Sequence, residues 1–269
     1  MSQYLLPILY TLFVWWFSTG VILYLNGLPR WTFNWTMGAA TLLLAMALLG
    51  LYATRNDTRI TGSYLAFTFA LVVWGWQEVA FLLGFVTGPR RTPCPPQARR
   101  WRRAGYALQT LLHHEFALIV LGVCVFLLTW NGSNPTGLFT FAILWVMRQS
   151  AKLNVFLGVR NLNEDFLPAH LQYLQTYFTR KPMNSLFPVS VMVSTWLAVL
   201  LWQDATADKV SAFDATVLTF AGTLLSLAIL EHWFLVLPLP SEALWTWGLR
   251  SRQLTPGIPP PDSAGTERL

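Results

Sequence analysis

Charged side chains are scarce in this chain: Asp, Glu, Lys and Arg together make up 11% of 269 residues, where a soluble domain carries about a quarter. That scarcity excludes a water-soluble globular protein and leaves an integral membrane protein. Cysteine is nearly absent as well. Cys94 falls in a connecting loop and Cys124 inside an apolar stretch, so neither a disulfide framework nor a CxxC metal site is available. No Lys or Arg precedes Arg30, so the first apolar stretch lacks the basic flank of a cleaved signal and is expected to remain as a span. No internal repeat of the kind many transporters show is evident.

What is abundant is apolar: hydrophobic residues reach 54%, with 14 Trp among them. Hydropathy predicts an all-α, polytopic bundle of about seven transmembrane helices, each near the roughly 20 residues a crossing needs. They fall at about 4–25, 35–54, 63–87, 105–130, 138–159, 187–203 and 213–238. Residues 1–240 then form a single transmembrane domain, and the Pro-rich segment 241–269 reads as a largely disordered cytoplasmic tail.

The net charge of +6 is explained by membrane topology and calls for no nucleic-acid partner. One set of connections carries Arg30, Arg90, Arg91, Arg99, Arg100, Arg102, Arg103, Arg160, Arg180 and Lys181, and the tail adds Arg250, Arg252 and Arg268. The opposite set carries Arg55, Arg59 and Lys209. Basic loops stay in the cytoplasm, which predicts an N-terminus outside and a C-terminus inside. Tyr4, Trp15, Trp16, Trp31, Trp35, Trp101, Trp130, Trp202, Trp245 and Trp247 lie near span ends and read as interfacial belts.

The ionisable residues inside the spans are the candidate site, because such groups in hydrocarbon are paired, hydrated or functional. Glu78, the run His113-His114-Glu115, the pair Arg148 and Lys152, and Glu231-His232 occupy four spans. At 1.5 Å per residue they fall ~10–15 Å inside the cytoplasmic boundary, which predicts one shared polar layer. Arg148 and Lys152 are four apart and share a helix face, whereas His113, His114 and Glu115 cannot all face one centre.

Three readings of this layer stay open. Glu78, Glu115 and Glu231 can neutralise Arg148 and Lys152 in an ion-pair network. Alternatively Glu78, His114, Glu115, Glu231 and His232 can hold iron or another divalent metal. The Glu-x-x-His pattern of helical dimetal sites is missing, since Phe81, Leu118, Leu167 and Phe234 stand three residues after Glu78, Glu115, Glu164 and Glu231. In the third reading a histidine ligates the magnesium of a chlorophyll-type pigment. Between the fifth and sixth spans, Leu167, Leu171, Leu174 and Phe178 recur behind Pro168, which predicts an amphipathic interfacial helix over about 165–180. It would cover the helix ends, dock a partner, or form a lid bringing Glu164 and His170 over the cluster.

Certain strings are more specific than periodicity. Phe17-Ser-Thr-Gly20, Tyr24-Leu-Asn-Gly-Leu-Pro-Arg-Trp-Thr-Phe-Asn-Trp35 and Trp74-Gly-Trp-Gln-Glu-Val-Ala-Phe-Leu-Leu-Gly-Phe-Val-Thr-Gly-Pro-Arg-Arg91 are three. Leu112-His-His-Glu115, Ala151-Lys-Leu-Asn-Val-Phe-Leu-Gly-Val-Arg-Asn-Leu-Asn-Glu164 and Arg180-Lys-Pro-Met-Asn184 are three more. Through them the chain resembles, from about residue 10 to about 200, the photosynthetic complex assembly protein 2 family, PuhE, of purple and related phototrophic bacteria.

The resemblance implies a multi-pass protein of the bacterial inner (cytoplasmic or intracytoplasmic) membrane. It implies assembly of reaction-centre and light-harvesting complexes or supply of bacteriochlorophyll, with their subunits and a tetrapyrrole pigment as partners beside the lipid bilayer. It carries no site residues. Two functional classes follow: a non-catalytic assembly factor, or a metal-dependent membrane enzyme acting on a tetrapyrrole precursor.

Overall fold

The computed structural model describes residues 2–162 and 164–253. Seven long helices run in order: α1 (Ser2–Asn26), α2 (Phe33–Thr54), α3 (Ile60–Leu82), α4 (Arg100–Thr129), α5 (Thr136–Leu157), α6 (Leu186–Ala205) and α7 (Ala212–Phe234). Among the described residues there is no strand, only an isolated bridge between Val159 and Arg180. Six of the helices are long and apolar enough to cross a membrane. The exception is α5, whose second half carries Arg148, Gln149, Ser150, Lys152 and Asn154. It packs against α3, α4, α6 and α7, which shelter those side chains apart from Arg148. The chain is thus an all-helical multi-pass membrane protein.

The most enclosed helices are α3 and α7, with half and two-thirds of their apolar windows buried, against 11–22% for α1, α2, α4 and α6. Lipid is as apolar as leucine, so close packing rather than water exclusion must hold such a bundle. The main core accordingly uses small residues for close approach: Ala47 of α2 and Ala66 and Ala70 of α3 pack with Leu51, Val73, Leu121, Val125 and Phe141.

Polar side chains terminate the helices. Ser211 Oγ accepts the backbone N–H of Asp214 at 3.0 Å and opens α7, a cap of the usual chemistry. At its other end Asn161 Nδ2 donates to the Phe234 carbonyl at 2.7 Å and also to that of Leu237. Asn184 serves two helices. Its amide donates to the Asn154 and Gly158 carbonyls at the end of α5, and its oxygen accepts from the N–H groups of Leu186 and Phe187 at the start of α6. The last residue of α3 is Leu82, short of the expected 87. Gly84 takes φ +84°, a conformation that suits glycine, and the N–H groups of Phe85 and Val86 turn back to the Ala80 carbonyl.

Two expectations are corrected at the basic end of the bundle. The segment expected as an amphipathic α-helix over 165–180 is 3₁₀ instead, in pieces Glu164–Phe166 and Ala169–Tyr177. Its buried residues are Leu171, Leu174 and Tyr177, spaced by three as a three-residue turn requires. Outside contacts sustain this length of 3₁₀: Arg90 Nε donates to the Tyr177 hydroxyl at 2.7 Å, that hydroxyl donates to the Thr92 carbonyl at 3.0 Å, and Arg103 donates to the Tyr177 carbonyl. The second correction concerns the tail. Residues 241–253 are folded along α1, while 254–269 lie outside the described residues. Trp245, expected in an interfacial belt, is 4% exposed and donates to the Trp16 carbonyl at 2.9 Å. Trp247 stacks on Phe17. Backbones meet at Gly248, where a Cβ would lie 2.5 Å from the Gly20 carbonyl oxygen.

Candidate functional site

Five of the sequence-predicted residues come together across α3, α4, α5 and α7. Arg148 Nη2 donates to Glu78 Oε2 at 3.0 Å, and the neighbouring Gln77 amide donates to Glu78 Oε1 at 3.2 Å. One turn further along α5, Lys152 Nζ donates to Glu115 Oε1 at 2.6 Å and Gln149 Nε2 to Glu115 Oε2 at 2.7 Å. Lys152 is also within electrostatic reach of Arg148 and Glu78, and Glu231 within reach of Arg148 and Glu78. These groups form one network rather than separate pairs. The i, i+4 spacing of Arg148 and Lys152 points both cations at their acids.

Glu231 is the odd member. Its oxygen accepts from Trp15 Nε1–H at 2.7 Å, and no cation is bonded to it. Two cations therefore face three carboxylates. Glu231 and Arg148 are both exposed at the side of the bundle. The layer also sits closer to the helix ends than counting suggested: Glu78 is one turn from the end of α3 and Glu231 less than a turn from the end of α7.

The histidines do different things. His232 is 2% exposed; its Nδ1–H donates to the Ala228 carbonyl at 2.8 Å, leaving Nε2 to accept the Ser150 hydroxyl at 2.9 Å. Both nitrogens of a neutral ring are thereby satisfied. His114 is 1% exposed. Its ring lies 4.6 Å from that of Phe81, its Nδ1 has no partner in the protein, and its backbone N–H donates to the Thr87 carbonyl at 2.9 Å. His113 points outward from α4 beside exposed Leu112 and Phe116 and does not join the others.

Among the described residues no three His, Cys, Asp or Glu groups are arranged to hold a metal ion. The set Glu78, His114, Glu115, Glu231 and His232 is not gathered, because each acid is taken by a donor from another helix and His232 is consumed by Ser150 and Ala228. The lid pair is not gathered over the cluster either. Glu164 bonds Arg180 at 3.1 Å near the surface, and His170 Nε2–H donates to the Leu82 carbonyl at 3.0 Å, one turn past Glu78.

His170 instead belongs to a second polar site, which residue counting did not reveal. A cavity of about 250 Å³ opens at the basic end, lined by Arg30, Phe33, Leu83, Gly84, Thr87, Arg91, His170, Leu171 and Tyr173. Burial holds the His170 imidazole below its ordinary range, and the nearby charges of Arg30, Arg91 and Arg252 reinforce this. Burial pushes the Tyr173 phenol up, opposed by Arg91 and Thr87. The network has sequence-adjacent members that were overlooked: Gln77, Gln149 and Ser150 stand beside the flagged charges, and their polarity inside a span was the available signal. Trp15 read only as a belt residue, and nothing in the sequence paired it with Glu231.

The family described as protein of unknown function, DUF3623, matches residues 1–255. A Rhodobacter capsulatus protein described as an uncharacterized 30.4 kDa protein in the puhA 5′ region is 42% identical over 247 residues, covering 90% of this chain and 89% of the relative. No solved structure matches the chain.

Proposed function

The chain belongs to the DUF3623 family, and from that premise we propose that it is an integral membrane assembly factor of the bacterial photosynthetic apparatus. It would act in the inner membrane, N-terminus outside, on reaction-centre or light-harvesting subunits or on their bacteriochlorophyll. The observation that carries this reading is the relative from a purple bacterium, which matches nearly the whole chain and whose description sets it in the puhA 5′ region. The family resemblance of the strings from Phe17 to Asn184 agrees with it. The buried network supports a non-catalytic role: its acids are bonded across helices, which fixes the bundle and leaves no converging set of free acid, base and nucleophile.

The test is capture of the tagged full-length chain from a phototrophic bacterium while its complexes are being made. Reaction-centre or light-harvesting subunits, or a tetrapyrrole absorption spectrum, should accompany it. Capture of neither, with stoichiometric iron, manganese or zinc that is lost in Glu78→Gln, would replace this reading with a metal-dependent enzyme acting on a tetrapyrrole precursor.

A further inference from the structure

The cavity at the basic end stands on its own observations, independent of the assembly role. Its walls come from three separate stretches of chain: Arg30 and Phe33 at the start of α2, Leu83 to Arg91 after α3, and the 3₁₀ segment with His170, Leu171 and Tyr173, beside which the tail sets Arg252. Arg30 makes no side-chain bond among the described residues and is exposed, while Arg91 reaches only the Gly84 carbonyl at 3.3 Å. Among the described residues no carboxylate lines the space. Arg30 and Arg91 bring like charges to it, which repel one another, so the pair is completed by an anion.

The neutral groups agree. Thr87 is 1% exposed, and among the described residues neither its hydroxyl nor the buried Tyr173 hydroxyl has a partner of hydrogen-bond geometry. The two lie close enough for Thr87 to lower the Tyr173 phenol slightly, but their contact falls short of a full bond. Leaving a buried hydroxyl without a full hydrogen bond is costly, so two of them in one cavity wall mark donors that are waiting for an acceptor. His170 cannot help itself to this space as a donor through Nε2, which is already bonded to Leu82.

We infer that this cavity binds a phosphate-type oxyanion, held by Arg30 and Arg91 with the hydroxyls of Thr87 and Tyr173, and borne by either a lipid headgroup or a free phosphate. Two guanidinium groups offer paired N–H donors that match phosphate oxygens, and the hydroxyls supply the remaining contacts. Phe33, Leu83 and Leu171 form the apolar part of the wall, where the first carbons of a glycerol backbone or other substituent would rest. A phosphate on this site would tie the first loop, the loop after α3 and the 3₁₀ segment together.

The experiment uses the full chain in maltoside micelles, which carry no phosphate. Inorganic phosphate is titrated by calorimetry, and in a parallel arm phosphatidylglycerol is added to the micelles and retained lipid is counted by native mass spectrometry. Saturable one-to-one binding of either probe is expected, weakened at least tenfold by Arg30→Gln and by Thr87→Val. Lys209→Gln removes the same charge from the opposite end and should bind like the parent. Response to inorganic phosphate identifies a free phosphate as sufficient, and retention of phosphatidylglycerol alone identifies a headgroup. Absence of stoichiometric binding in both arms overturns the inference, as does equal loss in Lys209→Gln or unaltered binding in Arg30→Gln, whose exposed and unbonded side chain leaves the fold intact.

Discussion

One turn of α3 separates two polar regions that treat charge in opposite ways. Around Glu78, cations and acids from three helices are consumed by one another, down to the amides of Gln77 and Gln149. Past Leu83, Arg30 and Arg91 line one cavity with no acid among its described lining residues, and two buried hydroxyls lack a partner of hydrogen-bond geometry. A buried network whose members satisfy each other orders a fold, whereas a set of donors without acceptors has its partner elsewhere. The comparison separates a structural cluster from a binding one, and both contain the residue types that sequence reading treats alike.

The hardest test of the first half of that contrast is to strand a charge. Glu115→Leu removes the acid of Lys152, whose side chain is 21% exposed, and breaking a buried pair costs about 3–5 kcal/mol. The double variant Glu115→Leu with Lys152→Met should recover most of that loss, since an apolar pair of similar volume is often neutral. Unfolding in detergent micelles, read by circular dichroism, checks both. A single variant as stable as the parent would show that the network does not order the bundle.

Trp15→Phe is next in size. It withdraws the N–H bonded to Glu231 at 2.7 Å and leaves that acid unbonded, a loss of about 1–3 kcal/mol. Glu231→Gln keeps an acceptor for Trp15 and should lie much closer to the parent in the same unfolding assay. If the two variants are equally harmful, the third carboxylate is required as a charge and the network is not complete as two pairs.

Much of the first region was legible and almost none of the second. Glu78, Glu115, Arg148, Lys152 and Glu231 announce themselves because charge inside an apolar span is costly, and helix counting places them at similar levels. Counting does not give azimuth: it shows that His113 and His114 diverge, but not that His113 faces outward while His114 is buried. The cavity escaped because its residues lie in loops of ordinary polarity, brought together by Gly84, by the 3₁₀ path of Ala169–Tyr177 and by the tail. The 3₁₀ path itself was misjudged since Leu171 and Leu174 fit an α-helix and a 3₁₀-helix alike. The tail's packing on α1 was hidden by its prolines, although Trp245 and Trp247 are residues that a solvated tail does not need.

His170 sharpens the second half of the contrast. Its pKa is lowered by burial and by Arg30, Arg91 and Arg252, so the folded protein binds its proton less readily than the unfolded chain. The stability this represents is complete above the ordinary value of 6.5 and is lost as pH falls from there through the lowered folded value. His170→Gln should remove that part of the acid-side decline when unfolding is followed between neutral and mildly acidic pH. An anion in the cavity offsets the arginines, brings the folded value back toward 6.5 and should make the parent's decline shallower. An unchanged decline with phosphate at saturating concentration would place His170 outside the anion's field.

The smallest effect lies at the opposite end, in an ion pair whose cation is open to solvent. Asp57 accepts from Arg59 Nε at 2.9 Å and from the Arg59 backbone N–H at 3.0 Å, and these bonds hold its carboxyl down to about 2 from an ordinary 3.8. The folded value is the lower one, so the contribution is present above 3.8 and disappears as pH falls through about 2. Arg59 is 79% exposed beside a part-buried Asp57, and a pair whose cation stands in water contributes little and is screened by salt. Asp57→Asn should therefore leave the unfolding midpoint within a degree or so at neutral pH, with the difference vanishing under acid. A large effect from Asp57→Asn, comparable with Glu115→Leu, would mean that charge pairing matters equally at the surface and in the interior, and the distinction between a consumed cluster and a waiting one would lose its physical basis.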